Sequence, residues 1–189
     1  MPTARRRLES KDIPQADSLE NVRRIIDAVA EGAKTKADVS DRTGINPRHV
    51  LYGLHTARVL GFLVEAEGGF GTTAAGNTLR AASSGSVEER AVFRASIEGS
   101  DIISAIAPAI LSAKPPTQDA ITQKIVKLSG LSDSTAGRRA QTLVSWRTQI
   151  LSPQQPVAPA APAAPAAPAE AAPAEEVAPP AAAEPEGAA

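Results

Sequence analysis

The side chains that could do chemistry are concentrated on one short predicted helix. Asn46 followed by Pro47 predicts its start, because an Asn side chain can cap free amides and Pro suits the first helical turn. Val50, Leu54 and Ala57 recur at i, i+4 and i+7 and predict a buried stripe. The start of the helix and its outward face carry side chains that can hydrogen-bond to phosphates and base edges: Asn46, Arg48, His49, Tyr52 and Thr56. We expect this face to enter a groove of double-stranded DNA.

A second group of polar side chains follows Gly130. Thr117 predicts the start of one helix, Gly130 the turn after it, and Ser132 or Asp133 the start of another. The outward side chains of this other helix include five that can donate hydrogen bonds: Ser134, Thr135, Arg138, Arg139 and Thr142. Consecutive arginines can bind phosphates or the edges of guanine bases. An exposed surface that serves only solubility would explain the two arginines equally well.

Enzymatic chemistry has little support in this sequence. There is no Cys, which excludes thiol catalysis, disulfides and Cys-ligated zinc. The two histidines, His49 and His55, are six positions apart and would point in different directions on one helix, so they do not form a metal-binding pair. P-loop, GxGxxG and nucleophile-elbow sequences do not occur. We expect no catalytic residue, no metal and no cofactor.

Three predicted helices position the first polar group. Apolar residues at helical spacing predict a supporting helix over residues 19–31, with Arg23 on its solvent side. Thr35 is the predicted cap of a second helix, with Asp38 three positions after it. Gly44 permits the sharp turn into the third helix, and Gly61 ends that helix. Residues 35–63 therefore have the spacing of a helix-turn-helix.

A short hairpin is predicted directly after the third helix. Residues 62–67 alternate after an apolar start, Gly68 and Gly69 accept the positive φ angles of a tight turn, and residues 70–72 form the return strand. Thr73 then caps a further helix. A hairpin in this position is the wing of a winged helix.

The run over residues 35–82, which ends in GFLVEAEGGFGTTAAGNTLRAA, resembles winged-helix units of bacterial transcriptional regulators. That resemblance implies a winged helix-turn-helix that binds DNA through the second helix of the motif, which is the third predicted helix of the chain. The wing departs from the family pattern because it has no Lys or Arg to contact phosphate. Residues 13–22 and 131–146 are similar, more loosely, to tandem winged-helix regions of restriction-type and mobile-element proteins, which implies DNA association over residues 13–151.

Composition changes sharply near residue 152. Ten of the 16 prolines and no Lys or Arg lie beyond it, which predicts a disordered Ala/Pro/Glu-rich tail over residues 152–189. Five of the 21 acidic residues belong to this tail, so the preceding part has 16 acidic against 20 basic residues, a net charge of about +4. At the other end, residues 1–16 are predicted to be a flexible basic arm that contains Arg5, Arg6 and Arg7.

The expected fold is mainly α-helical and has two folded parts. A winged helix-turn-helix covers residues 17–84, and a helical linker with a second helix-turn-helix covers residues 85–151. The linker contains a helix predicted over residues 101–113, kinked at Pro108. One face of this helix is too apolar to remain exposed to water, so we expect it to pack against another part of the protein or a partner: Ile102, Ile103, Ile106 and Ile110.

These features predict non-enzymatic binding of double-stranded DNA, with transcriptional regulation as the expected role and a homodimer as a candidate assembly. The alternative is a protein-interaction adaptor that uses winged-helix surfaces and the Ile-rich helix over residues 102–111. A small-molecule-responsive regulator is a third option, although no pocket can be read from the sequence. Because the sequence has neither a secretory signal nor an apolar run that could span a bilayer, we expect a soluble cytoplasmic protein without a membrane partner.

Overall fold

The computed structural model describes residues 7–66 and 68–152 of the 189-residue chain. Arg5 and Arg6 of the predicted basic arm lie outside the described residues, and so does the predicted tail from residue 153 onward. The described part is mainly helical, and its two strands form one antiparallel hairpin. The prediction of a mainly α-helical fold is confirmed.

Three helices precede the hairpin, and their bounds agree with the sequence to within a few residues. They are α1 (Leu19–Ala30), α2 (Lys36–Thr43) and α3 (Pro47–Val59). The predicted caps are in place, because the Thr35 hydroxyl accepts a hydrogen bond from the Asp38 amide at 3.1 Å and the Asn46 side chain accepts one from the Arg48 amide at 2.9 Å. Gly44 ends α2 with a φ of 68°, a left-handed conformation that favours glycine.

The predicted hairpin is present directly after α3. Strand β1 (Leu63–Ala66) pairs antiparallel with β2 (Gly69–Thr72), so that Leu63 lies opposite Thr72 and Ala66 opposite Gly69. Leu63 is the buried residue of β1, and the other three residues of that strand face solvent. The order of three helices and a hairpin agrees with a winged helix, but membership of that class stays a prediction.

Between the hairpin and residue 152 lie five helices: α4 (Ala74–Ala81), α5 (Val87–Gly99), α6 (Asp101–Ile106), α7 (Gln118–Ser129) and α8 (Asp133–Leu151). The two helices predicted for the second unit are α7 and α8, which pack against each other across a turn at Gly130. Across residues 7–66 and 68–152, no helix combines the length and apolar character needed to cross a membrane.

The Ile-rich segment differs from its prediction. Helix α6 ends at Ile106 and does not continue to residue 113, because Ala107 leaves the helical conformation and Ala109 has a φ of 55° on the far side of Pro108. Ile103, Ile106 and Ile110 are buried in the protein's own core, while Ile102 is half-buried. The adaptor alternative stays a prediction, although three isoleucines of the interface expected for it are buried in the protein's own core.

One hydrophobic core receives side chains from both predicted units. Phe62 and Phe93 meet edge to face, with ring centroids 5.4 Å apart and an interplanar angle of 87°. Trp146 of α8 is buried, and its Nε1 donates a 2.9 Å hydrogen bond to the carbonyl oxygen of Ala16. Helix α8 is thereby fixed against the segment that leads into α1.

That segment, residues 7–18, is called the N-terminal strap here, and it is ordered. It contains a short 3-10 helix, Ser10–Asp12, and it buries Ile13 and Pro14. On one side the Leu8 amide donates to the Leu128 carbonyl at 3.1 Å, and on the other Asp12 forms a 3.0 Å ion pair with Arg58 of α3. Residues 7–16 of the predicted flexible arm therefore contact the helical core, through the buried Ile13 and Pro14 and through the hydrogen bonds and ion pair of Leu8 and Asp12.

Candidate functional site

The N-terminal halves of α3 and α8 line a common cleft, together with residues 15–18 of the N-terminal strap. This α3–α8 cleft has two adjoining recesses, of about 350 and 370 Å³. Both recesses share five lining residues: Gln15, His49, Tyr52, Arg138 and Thr142. The two groups of polar residues that the sequence places about 90 positions apart therefore meet at one site.

The two recesses differ in their remaining lining residues. We call the first the ring recess, because the rings of His49 and Tyr52 line it together with the apolar residues Ile25 and Ala16. The second is the arginine recess, to which Arg48, Arg138 and Arg139 all contribute. The two rings and Arg138 line both recesses, so a ligand that filled both would meet added apolar surface from Ala16 and Ile25 at one end and two further arginines at the other.

Helix α3 holds its polar side chains in a connected group. The Nε of Arg48 donates a 2.7 Å hydrogen bond to the Tyr52 hydroxyl, and its Cζ lies 5.7 Å from the ring centroid. This hydrogen bond, together with the charge interaction with Tyr52, raises the pKa of Arg48. The rings of His49 and Tyr52 lie 6.1 Å apart and are tilted by 31°. Arg48 and His49 are exposed, and Tyr52 is half-buried.

Helix α8 contributes two arginines in different surroundings. Arg138 is exposed, whereas Arg139 is only 8% exposed and its Nη2 donates a 3.0 Å hydrogen bond to the Ser10 hydroxyl. Burial lowers the pKa of Arg139; Tyr52 opposes this effect and the like charge of Arg138 adds to it. Arg139 stays charged at neutral pH, because a guanidinium is too strong a base to lose its proton in a protein.

The charge of these arginines is not neutralised inside the described structure. Five other arginines pair with carboxylates: Arg23, Arg42, Arg58, Arg80 and Arg94. Among the described residues, Arg48, Arg138 and Arg139 have no such ion pair. Asp17 is the acidic residue at the ring recess, and the described lining of the arginine recess contains none. The arginine recess is therefore suited to an anion.

Three residues that the sequence placed on outward faces are buried. Thr56 is fully buried, and its hydroxyl accepts hydrogen bonds from the amides of Gln15 and Ala16 at 3.4 and 3.3 Å. Arg139 and Thr142 are 8% and 6% exposed. The prediction of outward positions is wrong for all three, and the N-terminal strap contacts two of them, Thr56 and Arg139, directly.

The other predicted contact residues remain accessible. Asn46 and Ser134 are exposed but lie outside the lining of the cleft, and Asn46 uses its side-chain oxygen to cap α3. Thr135 is half-buried and lines the arginine recess.

Sequence reasoning missed Gln15, Ser145 and Gln141, which also line the cleft. A polar stripe at i, i+4 and i+7, made by Arg138, Thr142 and Ser145, was the available signal for the α8 wall. For Gln15 there was no local signal, since it reaches the site through the tertiary position of the strap.

Comparisons of this chain with protein-family models, curated proteins and solved structures found no significant match. The resemblance of residues 35–82 to regulators therefore stays a prediction. Chemically, the cleft offers guanidinium, hydroxyl and amide donors beside aromatic rings. Such a set can hold an anionic ligand by charge-assisted hydrogen bonds.

Proposed function

We propose that the protein binds double-stranded DNA without catalysing a reaction, through a winged helix-turn-helix, and that it acts as a transcriptional regulator. Three helices followed by a hairpin give the order of elements that this class requires. The first turn of α3, with Arg48 and His49, is exposed as a recognition helix needs. The hairpin has no Lys or Arg, so its electrostatic contribution is small.

The observation that carries the proposal is the group of arginines without carboxylate partners. Arg48, Arg138 and Arg139 come from two helices and line one recess. Among the described residues Arg24, Arg90 and Arg147 likewise have no carboxylate partner, but they do not line this recess. Exposed guanidinium groups bind phosphates and displace the counterions of the nucleic acid, and this release of counterions supplies affinity. A surface that served only solubility would not require such a convergence.

The exposure of each side chain decides which contact with DNA it can make. Arg48 and His49 would contact base edges or phosphates, while Arg138 would add a contact to the DNA backbone. Asn46 and Ser134 are exposed next to these residues in sequence and extend the contact surface. Thr56 is too deeply buried to contact DNA and instead fixes the strap to α3.

Fluorescence anisotropy with a labelled mixed-sequence duplex, titrated over a range of salt, tests this proposal. Each lost phosphate contact should reduce the slope of log affinity against log salt by roughly 0.9. We expect an Arg48→Ala/Arg138→Ala variant to bind more weakly and with a shallower slope than the unmodified chain. Arg94→Ala is the control, since Arg94 is an equally exposed arginine that pairs with Glu98 on α5. Absence of binding at low salt, or an unchanged double variant, would contradict the proposal.

A further inference from the structure

The arginine recess contains a buried cation whose charge is unbalanced. Arg139 is 8% exposed, and the Ser10 hydroxyl is the acceptor that its guanidinium meets among the described residues. The neighbouring Arg138 has the same sign of charge. Burying a guanidinium without a carboxylate is costly, and a bound anion with several acceptor oxygens would offset that cost.

The adjoining ring recess shares the His49 and Tyr52 rings with the arginine recess and adds apolar surface that the arginine recess lacks. Tyr52 and His49 present two rings there, and Ile25 supplies an aliphatic side chain. Gln141 and Ser145 add hydrogen-bonding groups to the lining of this recess. A flat heteroaromatic group with polar edges matches this lining better than an aliphatic group does.

We propose that the α3–α8 cleft binds a single nucleotide, with its phosphate in the arginine recess and its base in the ring recess. The recesses, of about 350 and 370 Å³, adjoin through five shared lining residues and lie in the size range of small-molecule sites. This inference rests on the proposed function in one respect: Arg48 and Arg138 serve both ligands. The nucleotide and the duplex therefore compete, which makes the nucleotide a regulator of DNA binding.

The nucleotide has two sources with the same chemistry, a free nucleoside monophosphate and the phosphorylated end of a nucleic-acid strand. Titration calorimetry with the full chain distinguishes them. The probes are the four ribonucleoside 5′-monophosphates, adenosine, inorganic phosphate, and a short single strand with or without a 5′-phosphate. If the monophosphates bind, a free nucleotide is a sufficient ligand. If only the 5′-phosphorylated strand binds, the ligand is the phosphorylated end of a strand.

Variants separate the two recesses. Arg138→Gln should weaken monophosphate binding by roughly tenfold or more and adenosine binding much less, because Arg138 lines both recesses but only the phosphate offers it an anionic partner. Tyr52→Ala should weaken both ligands, since it removes the ring. Arg94→Gln is the control for loss of one positive charge. Arg139→Gln is interpreted only if its thermal unfolding midpoint matches that of the unmodified chain, and Arg138→Gln keeps the test decisive if it does not.

The outcomes also separate this inference from the proposed function. Monophosphates that bind while the duplex does not would leave the nucleotide site standing and overturn duplex binding. A duplex that binds and is not displaced by any monophosphate or 5′-phosphorylated strand would overturn the nucleotide site alone. Inorganic phosphate that binds as tightly as the nucleotides would also overturn it, because the ring recess would then contribute nothing.

Discussion

The guanidinium of Arg48 is held by the side chain one turn further along α3: its Nε donates a 2.7 Å hydrogen bond to the hydroxyl of Tyr52. An arginine on an exposed first turn would otherwise sample many rotamers, so this bond reduces the entropy lost when it meets a phosphate. The same tyrosine ring lines both recesses of the cleft. Tyr52 therefore orders a cation and provides surface at the same time.

Replacing Tyr52 with phenylalanine separates these two contributions. Tyr52→Phe keeps the ring and loses the hydrogen bond to Arg48, so we expect duplex affinity to fall by less than about tenfold while the fold is unaffected. Anisotropy measures the affinity, and thermal unfolding checks the stability. In an Arg48→Ala background the same substitution should have no further effect on affinity. An equal loss in both backgrounds would show that the hydroxyl acts independently of Arg48.

Thr56 provides a test of the N-terminal strap. Its buried hydroxyl accepts hydrogen bonds from the amides of Gln15 and Ala16. Thr56→Val preserves the shape of the side chain and leaves both amides unpaired, which should destabilise the fold by about 1 kcal/mol since the bonds are long. Thr148→Val on the exposed side of α8 is the matched control. Urea denaturation measures both variants, and equal changes would mean that the strap does not depend on Thr56.

The sequence predicted the helices well because their signals are local. Thr35, Asn46 and Gly44 act on amides and carbonyls within a few positions, so caps and turns can be read without knowing the fold. The hairpin was predicted equally well, from the two glycines Gly68 and Gly69 at its turn.

The wrong predictions concern helix faces that were expected to face solvent and are instead covered by distant parts of the chain. Periodicity along α3 and α8 predicted that Thr56 and Arg139 face solvent, and only the distant strap buries them. Likewise, the convergence of Arg48 with Arg138 is a tertiary relationship that neither helix specifies alone. Predicting the cleft required knowing that residues 7–18 pack, and a polar segment near a terminus gives little indication of that.

Arg23 is the clearest case of a misassigned face, because α1 was predicted to present it to solvent. It is instead 7% exposed, pairs with Asp27 and Glu89 at 2.9 and 3.0 Å, and donates hydrogen bonds to carbonyls at the end of α4. Arg23 thus joins α1 to α4 and α5.

Replacing Arg23 with methionine should destabilise the fold by about 3–5 kcal/mol, because Glu89 would be left buried without a cation. Arg94→Met, which breaks an exposed pair with Glu98, should cost less than about 1 kcal/mol. Urea denaturation compares the two. An Arg23→Met/Glu89→Gln variant should recover part of the loss, and a double variant no more stable than Arg23→Met would place the cost in the lost carbonyl contacts instead.

His55 should make the stability of the fold depend on pH. Its Nδ1 is buried and has no hydrogen-bond partner among the described residues. Burial lowers the pKa of His55 below its usual 6.5, and the nearby charge of Arg58 acts in the same direction, while Glu65 opposes them. The unfolded chain therefore takes up a proton more readily than the folded one. The stability linked to His55 is fully present above the unfolded pKa and is lost as the pH falls through the lowered folded pKa.

Urea denaturation at about pH 7.5 and about pH 5.5 measures this contribution, since the two values lie on either side of the ordinary histidine pKa. We expect the unmodified chain to lose more stability between them than His55→Gln does, because the variant has no proton to take up at this position. His49→Gln, a change at an exposed histidine on the same helix, should keep the full pH dependence. If His55→Gln loses as much stability as the unmodified chain over this interval, carboxylates and not His55 set the pH dependence of the fold.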